Sequence, residues 1–436
     1  MAQTLAYDFT RETLAMATEA GPTPVFSRAS DATYFDSSGV MQTAASGAVR
    51  LAAHLYNGTA WINHGFYKEE ASQNNFLQSE DLSTTTVATT TTLSTFATAA
   101  PDGDVDADDV LHTGESGSLI QSITVTNNTK VTISAHVRQG TTGAHDWVKM
   151  EWRDASDDDN GFEFWANVSD GTIGTAQASG TGSYTANSAR IEDMGGWYRI
   201  SASGQIVTGQ TDGELVMTNV TADAVDTIEQ TNSVAWWGIQ QEEKAFRTSY
   251  IATTTIAKAR VTDAMYLENS ASELEVYGYT HDALGSLVIT ATAGDASLDP
   301  NNKVLMGSSG SLLMFIDANS ANIKAFDGAS VPLLAVTSNN TQFRLAMNWD
   351  GVNAIRSSLD GAAVTADSYD GDWGFATADQ YIGSQAAGSK VANGFIKKIN
   401  FYDTTILTDA ELRAGRIISP GGAVVAMASR RQHMKF

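Results

Sequence analysis

Short runs in which apolar and polar residues strictly alternate, each cut off by turn residues, constrain this chain more than any other feature. In "FRLAMNW" (343–349), Phe343, Leu345, Met347 and Trp349 fall on one side of an extended strand, and the spacing makes them core. In "WVKMEW" (147–152), Val148, Met150 and Trp152 share one face while Trp147, Lys149 and Glu151 share the other. Period-two runs separated by Thr, Ser, Gly, Asn and Asp predict an all-β chain built of sandwiches. The Asp-Gly pairs at 350–351 and 360–361 follow such runs and mark hairpins. Helical spacing is confined to 7–17 and to 407–417, where Thr408 is the expected N-cap and Glu411 stands three residues on.

The 436 residues are enough for two or three domains, and a 42% apolar content can fill their cores. Residues 1–80 read as a mixed lead-in, with "FSRASDATYFDSSGVMQTA" at 26–44 as its most ordered part. A first sandwich, of jelly-roll size, is expected over 81–255, beginning with a Thr-rich strand at 84–98. A connector over 256–275 leads to a second sandwich at 276–415, and a basic tail follows at 416–436.

Composition excludes several classes of partner. Fifty Asp and Glu against 26 Lys and Arg give a net charge of −24, which repels phosphate backbones and anionic lipid surfaces. No nucleic-acid partner and no membrane insertion are expected. With no cysteine there are no disulfides, thiolate metal sites or thiol nucleophiles. The seven His form no H-E-x-x-H motif, and no phosphate loop or Ser/His/Asp arrangement is present. The first residues lack a basic region followed by an apolar one, and the apolar run at 423–428 is too short to span a bilayer. The expectation is a chain made and folded in a cytoplasm.

The sharpest local reading concerns residues 147–168. In "FEFWANV" (162–168), Phe162, Phe164, Ala166 and Val168 share one face, opposite Glu163, Trp165 and Asn167. If 153–161 closes a hairpin, Trp152 pairs with Phe162, Glu151 faces Glu163, Lys149 faces Trp165 and Trp147 faces Asn167. The outward set then holds two indoles, a cation positioned to cover one of them, and two carboxylates about 5 Å apart at Cβ. Sugar rings need such a mixture, since their C–H faces stack on aromatics while their hydroxyls seek polar partners. Trp147, Lys149, Glu151, Glu163, Trp165 and Asn167 are therefore the candidate sugar site. The plainer account packs this face against another subunit or the neighbouring block.

Paired carboxylates also raise glycoside hydrolysis. The E-x-D-x-x-E strand motif of concanavalin-like glucanases occurs nowhere in the second block, so no enzyme is expected. Asp154, Asp157, Asp158 and Asp159 cluster in one expected turn, where oxygen ligands suit calcium; the alternative is a polar hairpin tip. Asp104, Asp106 and Asp108 alternate and form a second, looser candidate. Trp236 and Trp237 must point oppositely, one into the core and one toward an interface. Arg430, Arg431 and Lys435 make the tail a candidate for docking on an acidic neighbour, against the alternative of a solvated terminus.

Several stretches occur in an order that resembles structural proteins of tailed bacteriophages. These are the 26–44 stretch, "NNFLQSEDLS" (74–83), "APDGDVDADDV" (100–110), "GGWYRISASG" (195–204) and "WGIQQEEKAFRTSYIAT" (237–253). The family comprises tail-fibre and head-fibre or decoration proteins with carbohydrate-binding-module-like jelly rolls. The segments "FRLAMNWDGVNAIRSSLDGAAV" (343–364), "YIGSQ" (381–385) and "NGFIKKINFYDTTILTDAEL" (393–412) resemble the concanavalin-like, or laminin-G, sandwich that often follows. The chain departs from the pattern at 48–77, where "YKEEASQNNFL" carries Ser-Gln in place of the family's Arg-Thr. The resemblance implies a virion protein, assembled in the host cytoplasm, whose lead-in docks onto the particle or onto sister chains. It further implies a homotrimer, contacts with other virion proteins, and sandwiches presented to host cell-surface glycans. The rival readings are a purely structural virion component and a tailspike depolymerase.

Overall fold

A computed structural model describes residues 5–416 except 88–89, 207–208, 269–283, 295–301, 309–312, 318–321, 327–329, 336–340, 351–353, 369–378, 386–389 and 404. The described residues are almost all strand and turn, as the alternation predicts, and no helix among them is long and apolar enough to cross a membrane. Arg430, Arg431 and Lys435 lie outside the described residues.

Two pairs of stacked sheets build the molecule. In the first, a six-stranded sheet runs Thr172–Ser179, Asp157–Asn167, Trp147–Asp154, Asp212–Val220, Leu119–Thr124, Thr86–Val87. It covers a seven-stranded sheet centred on Val234–Glu242, Val131–Gln139 and Tyr198–Gln205. Val148, Met150, Trp152, Phe162, Phe164, Ile133, Ile200, Met217 and Trp236 close the core between them. Each large side chain here contributes about 1.5–3 kcal/mol by leaving water. Trp237 points the other way and is equally buried, against Met41, Trp197 and Tyr250.

The second pair has a nine-stranded and a seven-stranded sheet, with Leu287, Ile289, Phe343, Leu345, Met347, Trp349, Ile396 and Phe401 between them. The expected core face of 343–349 is buried as a unit. At the 360–361 turn, Asp360 and Gly361 both take positive φ (50° and 81°), and Ala362 N–H donates to Leu359 O. That is the backbone a tight hairpin turn demands.

Parts of residues 5–68 are woven into this second pair, while Met41 and Phe76 pack toward the first. Leu5–Asp8 and Trp61–Lys68 both pair antiparallel with Gly394–Asp403, the closing strand, and Val25–Ser27 pairs with Ala264–Leu267. Leu5, Tyr7, Phe9 and Phe66 belong to its core. Gly65 has φ +93°, and a Cβ there would stand 2.5 Å from Ile396 O, so only glycine lets the two strands close up. This pairing corrects the helix expected at 7–17. Only Leu14–Ala17 makes a helical turn, because Leu5, Ala6, Tyr7 and Asp8 are all buried in the sheet, and burial outweighs local propensity. The helix expected near 407–417 forms as Asp409–Ala414, with a reciprocal Thr408/Glu411 cap and Gly415 at φ 64° closing it.

A buried ionic cluster joins the lead-in to the connector. Arg50 donates to Glu69 Oε2 and Asp263 Oδ2, both at 2.6 Å, Arg28 meets Asp263 Oδ1 at 2.9 Å, and Arg260 meets Glu69 at 2.8 Å. Arg28 also donates to the carbonyls of Ala44, Ala45 and Ala48. The 26–44 stretch is thus held by contacts within its own chain. Burial alone would raise Glu69, but Arg260, Arg50 and the bond from Ser249 hold it down at about 2.

Candidate functional site

The 147–167 hairpin has the register that strand parity predicts: Trp147 opposite Asn167, Lys149 opposite Trp165, Glu151 opposite Glu163, Trp152 opposite Phe162. The turn is tighter than expected. Asp154 pairs with Asp157, so only Ala155 and Ser156 turn the chain. Asp157, Asp158 and Asp159 consequently lie along a strand and do not gather in one loop. Asp154 is buried and accepts from Ser156 N–H and Oγ–H, while Asp158 meets Arg153 at 3.4 Å. Among the described residues no group of three acidic or His side chains could hold a metal. The four carboxylates expected in one turn are thus divided between two strands. Asp108, from the second acidic run, is turned inward to accept from Leu82 and Phe96 N–H, and burial pushes it up to about 6.

The outward face of the hairpin is less open than its sequence implies. Trp165 is only 2% exposed, its Nε1–H donates to Val225 O at 2.9 Å, and Lys149 Nζ sits 5.2 Å from its ring centre. The indole therefore meets the cation expected of it but offers no free face to a sugar. Asn167 accepts from Ser169 N–H, Ser169 Oγ–H and Asp170 N–H, so its side chain shapes the next turn. Trp147 packs close to Gly174, where a Cβ would come within 2.6 Å of the indole.

Lys149, Glu151 and Glu163 form the charged floor. Lys149 Nζ lies 2.5 Å from Glu163, 2.7 Å from Asp226 and 3.4 Å from Glu151. Burial opposes its charge, but Glu151, Asp226 and Glu163 together hold it above the usual lysine range. Burial raises Glu151, against the pull of Lys149 and Arg153. Glu163 also accepts from Gln177 Nε2.

Beside this floor runs a cleft of about 210 Å³. Lys149, Glu151, Arg153, Val216 and Thr218 line it, with Glu115–Ser118 and the pair Asp226 and Ile228. Sequence reasoning missed the last four groups. Val216 and Thr218 reach the cleft because Asp212–Val220 pairs with Trp147–Asp154, which sets them opposite Glu151 and Lys149, far earlier in the chain. The alternation in "ELVMTNV" gives the faces of that strand, but no local signal gives its neighbour. The arrangement offers a fixed ammonium, several carboxylates, a hydroxyl and a short apolar strip, in a groove open to solvent.

No family model matches the chain, and no curated protein does. Solved structures that match this chain include the CBM40 of a Ruminococcus gnavus sialidase bound to α2,3-sialyllactose (11% identity, 35% of this chain and 95% of that one, TM-score 0.27). A putative carbohydrate-binding protein from Bacteroides ovatus matches at 10% identity over 66% of this chain and 80% of its own, TM-score 0.27. Trypanosoma rangeli sialidase matches at 11% identity over 72% of this chain and 54% of its own, TM-score 0.27. None of these carries a residue of this chain into a role. With a sialidase among the matched structures, the expectation that the chain is no enzyme is withdrawn. Absence of the glucanase motif excludes one hydrolase arrangement and nothing more. The molecule is a β-sandwich protein whose similar structures include carbohydrate-binding modules.

Proposed function

We propose that this chain is a structural protein of a tailed-phage virion, a fibre or decoration subunit, and that its first sandwich takes host-surface glycan in the cleft over Lys149. The phage half rests on the ordered run of motifs between residues 26 and 253. The observation that carries the binding half is the cleft itself: a 210 Å³ groove whose ammonium is locked by three carboxylates. Groups held rigid before a ligand arrives lose little entropy on binding, and hydroxyl-rich ligands need just such fixed donors and acceptors. With Trp165 covered, stacking contributes little, so each site is weak. Copies repeated on a particle, a homotrimer among other virion proteins, would raise avidity by about 10²–10⁴.

A glycan array probed with the intact chain, Lys149→Met and Thr218→Trp tests the binding half. Signal from the intact chain, lost in both variants, is the expected result. A blank array with folded protein rejects glycan binding and leaves a structural role in the particle. Incubation with host capsule, followed for released oligosaccharide, reads catalysis directly. Antibody labelling of intact particles checks the virion assignment.

A further inference from the structure

The cleft over Lys149 holds charged donors and acceptors in unequal supply, and its two cations are already spent. Lys149 Nζ is shared by Glu163, Asp226 and Glu151. Arg153 donates through Nε and Nη2 to Glu214 Oε2 and meets Asp158 through Nη1. No other Lys or Arg lines the cleft. A ligand carboxylate would have to displace a protein carboxylate to reach either cation.

The acceptor side is open. Glu115 is an exposed member of the lining and has no hydrogen-bond or ion-pair partner among the described residues. Asp226 engages Lys149 through Oδ1 alone, and its side chain is 78% exposed. Burial, with a push from Glu163, raises Glu151 from the ordinary carboxylate value against the pull of Lys149 and Arg153, so added positive charge would relieve it. Around the groove, Glu115, Glu151, Asp226, Glu163, Glu214 and Asp158 stand against Lys149 and Arg153, six carboxylates to two cations. A groove lined by one excess sign concentrates its field on whatever enters.

We propose that the cleft selects glycans bearing a free amine, with the protonated amine of the sugar donating to the open carboxylates of Glu115 and Asp226 and the ring resting against Val216 and Thr218. This rests on the glycan reading above and adds the charge class of the sugar. An ammonium gains charge-assisted bonds there that its N-acetylated form lacks, and a uronate is repelled. Specificity thus comes from the unspent carboxylates, and Lys149 serves to hold Asp226 in place.

Ligand-observed NMR titrations of the intact chain at about pH 6, where a sugar amine carries its proton, test this with the glucosamine disaccharide, its N-acetylated form and digalacturonate. The expected result is saturable binding of the amine, at least about tenfold tighter than the acetylated sugar, and no saturation by the uronate. Glu115→Gln and Asp226→Asn should each cut that preference by about threefold or more. Glu12→Gln, at an exposed position in the lead-in, removes the same charge outside the cleft and should leave the preference intact. Thr218→Trp fills the groove, keeps every charge and should abolish binding, whereas mere attraction to an acidic protein would survive it. Equal or tighter binding of the acetylated sugar or the uronate, amine binding that persists in Thr218→Trp, or an equal loss in Glu12→Gln would overturn the amine preference. So would an amine that never saturates while the glycan array is positive, and glycan binding itself would then stand. A blank array with no saturation by any of the three sugars removes both. If Thr218→Trp does not fold, Glu115→Gln against Glu12→Gln decides.

Discussion

The junction cluster and the cleft floor use the same chemistry at the same distance, yet they do different work. Arg50 meets Asp263 at 2.6 Å with both side chains at 0% exposure, and Lys149 meets Asp226 at 2.7 Å with 11% and 78%. In the junction every charge faces protein, and Arg28 is further tied to the carbonyls of Ala44, Ala45 and Ala48, Arg50 to that of Thr33 and Arg260 to that of Glu70. In the cleft Asp226 faces water, while Glu151 and Glu163 are mostly covered. Depth, not geometry, separates charges that hold segments together from charges open to a ligand.

The largest expected effect follows from that contrast. Asp263→Asn leaves Arg28 and Arg50 short of their shared counter-ion, and breaking a buried pair typically costs about 3–5 kcal/mol. Lys149→Met should cost less, about 1–2 kcal/mol, since water re-solvates Asp226 and only the half-covered Glu151 and Glu163 lose a partner. Urea unfolding of both variants checks this, and equal losses would break the comparison.

A second contrast concerns carboxylates displaced in opposite directions. Glu69 is held at about 2, so its contribution is fully present above its unfolded value near 4.5 and is lost as pH falls toward 2. Asp106 goes the other way: burial first, then Asp102 and Glu80, push it up to about 7. Its protonated form favours the fold, so stability drains away as pH rises from about 4 through 7. Asp106 is partly exposed, so screening reduces the effect to about 1–2 kcal/mol at pH 8. Asp106→Asn should raise the melting temperature at pH 8 and leave it unchanged at pH 4. Glu69→Gln should be destabilised at both neutral and mildly acid pH. Melts across pH 3–8 read both, and parallel curves for the two variants would refute the opposed directions.

What was legible in the sequence divides along the same line. Parity fixed the partners of Lys149 and Glu151 because a hairpin's register is local. It likewise placed Phe343, Leu345, Met347 and Trp349 inside, and Thr408 with Glu411 marked a helix end. The contacts that decide exposure are non-local. Trp165 is covered by Val225, 60 residues away, and Arg28 finds Asp263 at a separation of 235. No periodicity encodes such partners. The polar look of 26–44 arises because its arginine neutralises a carboxylate supplied from the far side of the first sandwich.

The smallest expected effect tests whether depth is graded. Arg356 meets Asp409 at 2.7 Å, the separation found in the cleft, with exposures of 43% and 45%. Water and salt screen such a pair, and ordering two long side chains offsets much of the attraction, leaving about 0–0.5 kcal/mol. Asp409 also stands in the first turn of Asp409–Ala414, where a negative charge is favourable by itself, so the informative change is Arg356→Gln, which leaves that charge in place. Three contacts of matched length then form a series that falls in burial: Asp263→Asn, Lys149→Met, Arg356→Gln, the first two also releasing further partners. Measured in low salt and again in 0.5 M sodium chloride, the losses should fall in that order. Salt should erase most of the last, part of the second and almost none of the first. A surface pair as costly to break as the junction would mean that geometry, after all, sets what these charges contribute.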